Sequence, residues 1–249
     1  PILLAGILSG LAWAGIAALL KTHFKVNEIL TTIMLNYIAL NALLYFVHGP
    51  LKDPNGFNFP QSALFGDTSL LPLLHDGYRL NISLLFGLFA LTAIWTLMSR
   101  TWIGYQINVL GEDAAAAKYA GFKEKTLTWF ALLTCGALAG LAGVSEATGP
   151  VGQLVPQISP GYGYAAIIVV FLGRMHPVGI LLASMLLGLT YMGGEMVQME
   201  MTLPKSLTGL FQGMLLFFLL ASDLLISYRI IRIKKTAMPS DSTHTVSQG

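Results

Sequence analysis

Long stretches of apolar residues dominate this sequence and limit what it can fold into. Polar segments separate seven runs rich in leucine, isoleucine, alanine and phenylalanine, at about residues 2–20, 29–47, 82–99, 127–147, 164–173, 177–194 and 206–228. A helix needs roughly 20 mostly apolar residues to cross the hydrocarbon core of a bilayer. We therefore predict an all-α fold, a polytopic transmembrane helical bundle with about seven membrane segments.

The composition supports a membrane environment for most of the protein surface. Of the 249 residues, 55% are hydrophobic and 10% are charged, whereas soluble domains carry about 25% charged residues. The formal net charge is only +2, and the Lys and Arg residues are scattered. We therefore expect the lipid bilayer, and no nucleic acid, as a partner. Cys135 is the sole cysteine, so an intramolecular disulfide is excluded and a buried, inert thiol is expected.

The polar segments divide the chain into one membrane domain and a tail. We predict a transmembrane domain over residues 1–235, with an outer loop at 49–80 and a cytoplasmic segment at 100–125. The Ser/Thr-rich tail 236–249 is predicted to be disordered. Pro1 opens directly into an apolar run, which does not resemble a signal peptide, and we expect the sequence to be a piece of a longer protein or to be trimmed.

The loop charges predict an orientation, because Lys and Arg are enriched in cytoplasmic loops. If all seven runs cross and the first ends inside, 11 of these residues lie inside and three outside. The inside residues are Lys21, Lys25, Arg100, Lys118, Lys123, Lys125, Arg174, Arg229, Arg232, Lys234 and Lys235, and the outside ones are Lys52, Arg79 and Lys205. If 164–173 turned back, the tally would be 7 against 7. We therefore predict a multi-pass protein of the plasma membrane with a cytoplasmic C-terminus.

The run 164–173 is too short for an ordinary span, since ten helical residues rise only about 15 Å. A turn-rich segment, Ser159–Tyr164, precedes it. We predict a short or broken helix, continued by irregular backbone that packs against protein or lines a cavity. Broken helices of this kind occur along transport pathways, and an ordinary short helix buried in the bundle is the alternative.

Residues 111–121 predict a compact helix between two spans. Glu112 and Asp113 favour a helix N-terminus, four alanines have high helix propensity, and Gly121 is placed to end the helix. The segment is too short and too polar to span, and the charge count puts it inside. It suits docking against a partner protein, and a solvated connector helix is the alternative.

Polar residues in the membrane segments are candidates for contact with a solute. Glu28, Thr32 and Asn36 are spaced i, i+4, i+8 and share one face of the second helix. Asp223 lies near the inner end of the last run, within reach of Arg229. Interhelical hydrogen bonds and snorkelling charges are the alternatives for each. Small residues four apart predict close helix packing, at Gly6 and Gly10, Gly136 and Gly140, Ala139 and Gly143, and Gly209 and Gly213.

The sequence contains no recognisable catalytic motif. The five histidines are dispersed without metal-ligand spacing, and no nucleophile elbow, zinc-protease motif or phosphate-binding loop occurs. We predict that the chain is not an enzyme and carries no cofactor or metal. If it works with ATP, a different polypeptide must bind the nucleotide.

Several segments, in order, resemble permease subunits of ABC importers for nucleosides and simple sugars, a family that also includes ribose-type and branched-chain amino acid permeases. The cytoplasmic segment resembles the family pattern Gly-x-Asn-x-x-Ala-Ala-x-x-x-Gly. The matching residues are Gly111, Ala116, Ala117, Tyr119, Ala120 and Gly121, and the other similar segments are 26–29, 31–39, 49–56, 145–149, 159–163, 172–179, 204–205 and 212–213. The resemblance covers about residues 10–225.

This resemblance implies a permease that pairs with a second permease subunit. Cytoplasmic ABC ATPase subunits would bind ATP and Mg²⁺, and an extracytoplasmic solute-binding protein would deliver the nucleoside or sugar to the outer loop. The short helix would couple to the ATPase. The residues expected to do so are Gly111, Glu112, Asp113, Ala116, Ala117, Lys118, Tyr119 and Gly121.

The chain departs from the family pattern in two ways. Asp113 stands where the family usually has Asn, and the family is longer by several spans at the N-terminus. A secondary, ion-coupled transporter of a small polar solute is the alternative function. It would need intramembrane ionisable groups, and the candidates Glu28, Glu146 and Asp223 all lie near span ends.

Overall fold

The computed structural model is mostly helical in the part of the chain that it describes. This part comprises residues 1–54, 59–66, 69–72, 81–156, 158–159, 161–201, 209–211, 213–214, 217–218 and 221–222. The helices are α1 (Ile2–Phe24), α2 (Glu28–His48), α3 (Ser83–Arg100), α4 (Trp102–Glu112), α5 (Ala114–Tyr119), α6 (Glu124–Glu146), α7 (Tyr162–Leu172) and α8 (Pro177–Met201). The predicted all-α class is confirmed. Asp223, Arg229, Lys205, the tail 236–249 and much of the outer loop lie outside the described residues.

Five helical segments in the described residues are long and apolar enough to cross a membrane. They are Ile2–Phe24, Glu28–His48, Ser83–Arg100, Glu124–Val151 and Pro177–Glu200. Helix α7 has 11 residues and rises only about 16 Å, so the predicted short fifth segment, 164–173, is confirmed. That it crosses the bilayer stays a prediction, as does the span predicted at 206–228.

The chain forms two compact units, Pro1–Tyr162 and Gly163–Gly249. In the first unit, α1 and α6 run antiparallel with their backbones in close contact. A Cβ atom added to Gly10 would lie 2.8 Å from the Gly140 Cα, and one added to Gly136 would lie 2.6 Å from the Gly10 carbonyl oxygen. Only glycine permits this approach. Further along the pair, Trp129 Nε1 donates to Thr22 Oγ1 at 2.9 Å.

The small-residue prediction is confirmed for Gly6, Gly10, Gly136 and Gly140, but not for Gly143. A Cβ atom on Gly143 would meet no atom within 4 Å in the described chain. Cys135 on α6 is exposed, so the expectation of a buried thiol was wrong. A membrane helix is apolar on every face, so sequence position alone does not indicate which face is covered.

Helix α6 continues into a π-helical turn at Ala147–Val151, which contains Pro150. Proline has no N–H and its ring crowds the carbonyl four residues earlier, so the regular α-helical ladder fails here. The wider ladder closes instead, with the Gly152 N–H donating to the Ala147 carbonyl at 2.9 Å. Gly152 then adopts φ 69° and ends the helix.

A tight turn joins α7 and α8 in the second unit. A Cβ atom on Gly173 would lie 2.5 Å from the Ile180 nitrogen, so this turn packs directly against the first turn of α8. Ala165, Ile168 and Leu187 form a small buried cluster beside it. Arg174 and Met175 in the turn both have positive φ, a conformation that side chains beyond glycine adopt rarely.

Candidate functional site

The segment between α3 and α6 begins with a sharp reversal at Thr101. The Thr101 hydroxyl donates to the Leu97 carbonyl at 2.5 Å, and it accepts from the Gly104 N–H at 3.2 Å as the N-cap of α4. One side chain therefore ends α3 and starts α4.

Gly104 lets the first turn of α4 lie directly on the last turn of α3. The residue is buried, and a Cβ atom there would lie 2.6 Å from both the Cα and the carbonyl oxygen of Met98. These are backbone atoms, which cannot rotate away. The sequence did not predict the roles of Thr101 and Gly104. The only available signal was a threonine directly after Arg100, the last residue of the span, with a glycine three residues later.

The predicted single helix 111–121 is two helices separated at Asp113. Helix α4 ends at Glu112, so the expectation that Glu112 sits at a helix N-terminus was wrong. Asp113 is extended at φ −150°, and its side chain accepts from the Ala115 N–H at 2.8 Å as the N-cap of α5. The preceding helix starts as early as Trp102 and takes Glu112 into its last turn.

Helix α5 ends in a Schellman motif at the glycine that the sequence singled out. The Phe122 N–H donates to the Ala117 carbonyl at 3.0 Å, and the Gly121 N–H donates to the Lys118 carbonyl at 3.1 Å. Gly121 has φ +77°. Both ends of this six-residue helix are therefore fixed by local hydrogen bonds.

Most predicted residues of this segment are exposed. Ala117 is 1% exposed and is the point at which α5 rests on the bundle, whereas Tyr119 is 94% exposed. The other exposed residues are Gly111, Glu112, Asp113, Ala116, Lys118 and Gly121. The structure thus presents a short, doubly capped helix with an open outer face.

The predicted polar face of α2 is present and exposed. Asn27 caps α2 by accepting from the Ile29 N–H at 3.0 Å, and Glu28 forms an ion pair with Lys21 at the end of α1. The Thr32 hydroxyl donates to the Glu28 carbonyl at 2.9 Å, so part of its hydrogen-bonding capacity is used within the helix. Asn36 is exposed two turns on, about 12 Å along the axis from Glu28.

Described parts of the outer loop pack on the π-helical turn at the other end of the first unit. Ser62 pairs with Leu154 twice, through its N–H to the Leu154 carbonyl at 3.0 Å and through its hydroxyl, which accepts from the Leu154 N–H at 2.8 Å. The Leu71 N–H donates to the Thr148 carbonyl at 2.9 Å. Tyr162 donates to Glu146 Oε1 at 3.5 Å.

The two ends of the first unit differ in charge. The Trp129–Thr22 bond and the α4–α5 segment bring the charged loops of α1, α3 and α6 to one end. Six cationic residues lie there: Lys21, Lys25, Arg100, Lys118, Lys123 and Lys125. Lys52 lies at the opposite end with the outer loop, and Arg79 lies outside the described residues. In this unit, loops rich in Lys and Arg therefore lie at one end and the outer loop lies at the other, which is the arrangement that the predicted orientation requires.

Comparison with known proteins identifies the family. Residues 1–220 match the model of the family described as branched-chain amino acid transport system / permease component. The chain belongs to this family. It is a multi-pass membrane protein of a permease family, and the match extends into the last predicted run, 206–228.

Three of the curated relatives of this permease chain are named for a sugar or for nucleosides. It is 33% identical over 237 residues to a glucose ABC transporter permease of Haloferax volcanii, covering 91% of this chain and 62% of the relative. It is 29% identical over 237 residues to a guanosine ABC transporter permease of Bacillus subtilis (94% and 67%). It is 27% identical over 226 residues to a nucleoside ABC transporter permease of Lactococcus lactis (88% and 62%).

The permease chain therefore spans about two thirds or less of the length of these relatives. No solved structure matches it.

The sequence did not predict the aromatic residues Trp102, Tyr105 and Phe122, which lie beside one another at the base of the α4–α5 segment. The signal available was two aromatic residues three apart directly after a basic span end.

Proposed function

We propose that this chain is the membrane-spanning part of an ABC importer permease that carries a nucleoside or a simple sugar across the plasma membrane. The observation that carries the proposal is the exposed helix α5, capped at both ends and held between two spans at the basic end of the first unit. The names of the relatives support the two solute classes. Both solutes are rich in hydroxyl groups, and the sequence does not separate them.

In this proposal α5 is the coupling helix. Cytoplasmic ABC ATPase subunits, which bind ATP and Mg²⁺, would dock on its exposed face and move it. Because α4 contacts the α3 backbone directly at Gly104, a displacement of α5 and α4 would be transmitted directly to the spans. A second permease subunit would complete the pathway, and the bundle would alternate between two states. This chain would carry out no chemistry, and its sequence contains no phosphate-binding loop.

The proposed orientation puts the basic end of the first unit and the C-terminus in the cytoplasm. The outer loop, hydrogen-bonded to the π-helical turn, would then face the solute-binding protein. Glu28, Thr32 and Asn36 are the proposed contacts along the solute pathway, since α2 presents them on an exposed face.

Uptake measurements test the function directly. Cells that lack the gene for the full-length protein are expected to regain uptake of a labelled nucleoside or of labelled glucose when the gene is restored. Reconstituted with its ATPase and binding protein, the permease should transport only with ATP. Accumulation of neither solute, or uptake driven by an ion gradient without ATP, would contradict the proposal.

Replacing Gly121 by valine is expected to lower uptake severalfold while ATP hydrolysis continues. The left-handed backbone of Gly121 costs an ordinary residue roughly 1–2 kcal/mol, and β-branched valine is among the worst suited. The Schellman motif would open and α5 would lose its fixed position. Deletion of residues 112–120 should have the same effect.

The control for this prediction is Gly121→Asn, because asparagine tolerates the left-handed conformation. Among the described residues, no atom lies within 4 Å of a Cβ built on Gly121, so size alone should matter little. Normal transport in the valine variant, or equal loss in the asparagine variant, would contradict the coupling role of this turn.

Glu28→Gln is expected to leave ATP-driven uptake within about twofold of the wild type, because glutamine keeps the size and the hydrogen-bonding ability that a solute contact needs, and an exposed ion pair contributes only about 0–1 kcal/mol. Lys21→Gln is the matched variant, since it breaks the same pair from the other side. Initial uptake rates of both variants should agree. Loss of uptake in Glu28→Gln alone, with ATP hydrolysis unchanged, would favour an ion-coupled mechanism.

A further inference from the structure

Three aromatic side chains, Trp102, Tyr105 and Phe122, form a cluster at the base of the α4–α5 segment. The rings of Trp102 and Tyr105 stack, with centroids 5.3 Å apart and planes at 29°. Phe122 meets both edge-on, at 6.3 Å and 6.4 Å. The two ends of the segment are thereby joined.

The position of this aromatic cluster is set by the spans. Trp102 follows the last residue of α3 by two positions, and Phe122 precedes the first residue of α6 by two. The Gly104 contact holds the first turn of α4 against the end of α3. The interfacial region of a bilayer is about 5–7 Å deep on each side. If α3 and α6 cross the bilayer, Trp102 and Phe122 follow and precede these spans closely enough to fall within that region.

The surface of the aromatic cluster suits that layer. Trp102 is 67% exposed and Tyr105 is 52% exposed, and each has a large apolar ring with one polar group. Arg100, Lys123 and Lys125 lie within three residues of the cluster along the chain and are exposed; they outnumber the exposed Glu124 between the two lysines, so this rim is net positive. Trp and Tyr concentrate at membrane interfaces, and cationic residues beside them attract anionic headgroups.

A protein partner on α5 fits this surface less well. None of the three clustered residues belongs to α5, whose own exposed residues include Lys118 and Tyr119. The charge rim matches lipid phosphates, and chain connectivity keeps the cluster at the span ends.

We propose that the aromatic cluster is an interfacial anchor, with Trp102 and Tyr105 seated among the headgroups of the leaflet at the basic end of the first unit. This anchor holds the base of the α4–α5 segment at the bilayer surface and leaves α5 on the water side. The lipid contact requires only that the chain spans a membrane. The role of α5 beside it rests on the proposed function.

Tryptophan quenching by brominated lipids tests the anchor in the full-length protein, reconstituted in vesicles of phosphatidylcholine and phosphatidylglycerol. The difference in fluorescence between wild type and Trp102→Phe isolates Trp102, and phenylalanine keeps a ring in the stack. The fluorescence difference between wild type and Trp102→Tyr provides a second, independent measure of the Trp102 signal. We expect the Trp102 signal to be lost most strongly with bromines close to the headgroup.

Trp13, at the middle of α1 and 39% exposed, serves as the depth control through Trp13→Phe and should respond to bromines deep in the chains. The measurement is repeated with the ATPase subunits bound, and the Trp102 quenching should persist. Absence of quenching, quenching by deep bromines only, or loss of quenching on ATPase binding would each overturn the anchor. No solute is present, so failure of the transport proposal would leave this result unchanged.

Discussion

Replacing Gly136 by leucine is expected to abolish the folded permease or to lower its stability by more than about 3 kcal/mol, since even modest overpacking of a tight core costs about 1–3 kcal/mol. A Cβ atom at this position would lie 2.6 Å from the Gly10 carbonyl oxygen and would also collide with the Ala14 Cβ. Both obstacles belong to α1, and one is backbone. Relief would require α1 and α6 to move apart.

The effect should be large because little else holds membrane helices together. Lipid tails are as apolar as leucine, so association depends on van der Waals contact, hydrogen bonds and close backbone approach. In α1 and α6 that approach is concentrated at Gly6, Gly10, Gly136 and Gly140. The described contacts of α2 with the rest of the unit are few by comparison.

Gly143→Leu is the matched control, two turns further along α6. A Cβ atom there meets nothing within 4 Å in the described residues, so this variant should keep near-wild-type behaviour. The measurement is the amount of monodisperse protein in detergent and its thermal midpoint. Equal damage from both substitutions, or a neutral Gly136→Leu, would contradict the close-packing argument.

The membrane character of the fold could be predicted because it depends on run length and composition alone. Five of the predicted runs are helices of spanning length, and the short one is short. The partner of each helix could not be predicted. Small residues at spacing four mark Gly136 and Gly143 alike, yet only the first faces α1, because the choice depends on the rotation of the helix.

The candidate coupling segment was predicted in position but not in detail. Gly121 and the cap at Asp113 are where the residue types indicated, since they depend on local chemistry. The burial of Ala117 takes this residue out of the exposed docking face, and it could not be predicted because it depends on how α5 packs. The early start of α4 and its contact with α3 depend on Gly104, a tertiary feature without a periodic signature. Because α4 runs from Trp102 to Glu112, Glu112 lies in the last turn of that helix and not at a helix N-terminus. The π-helical turn was likewise missed, although Pro150 marks the place.

The loop charges could be interpreted from sequence because they reflect the side of the membrane on which each loop lies, and not the packing of the helices. The structure brings the cationic residues of three separate loops to one end of the first unit and the outer loop to the other, as the alternation of spans requires. The charge of a single loop would not have distinguished a crossing from a re-entrant segment.

Replacing Gly104 by leucine is expected to uncouple transport from ATP hydrolysis. The side chain would enter the space occupied by the Met98 and Leu97 backbone, so α4 would lift off α3 and its cap at Thr101 would be lost, at a cost of about 1 kcal/mol for the cap alone. Helix α5 could still meet the ATPase, but its motion would no longer reach the spans. We expect at least about a tenfold fall in uptake, which corresponds to 1.4 kcal/mol of lost coupling.

Gly87→Leu is the matched control, because Gly87 is an exposed glycine of α3, lies outside the proposed coupling residues, and a Cβ atom there meets nothing within 4 Å in the described residues. Solute uptake and ATP hydrolysis are measured together in vesicles that contain the full-length permease and its ATPase. Gly104→Leu should hydrolyse ATP with little uptake, whereas Gly87→Leu should retain most of both. A Gly104→Leu permease that transports normally would show that force reaches the spans by a route other than the α3–α4 contact. Equal loss of uptake in both variants would show that added bulk on a span, and not loss of the α3–α4 contact, causes the defect.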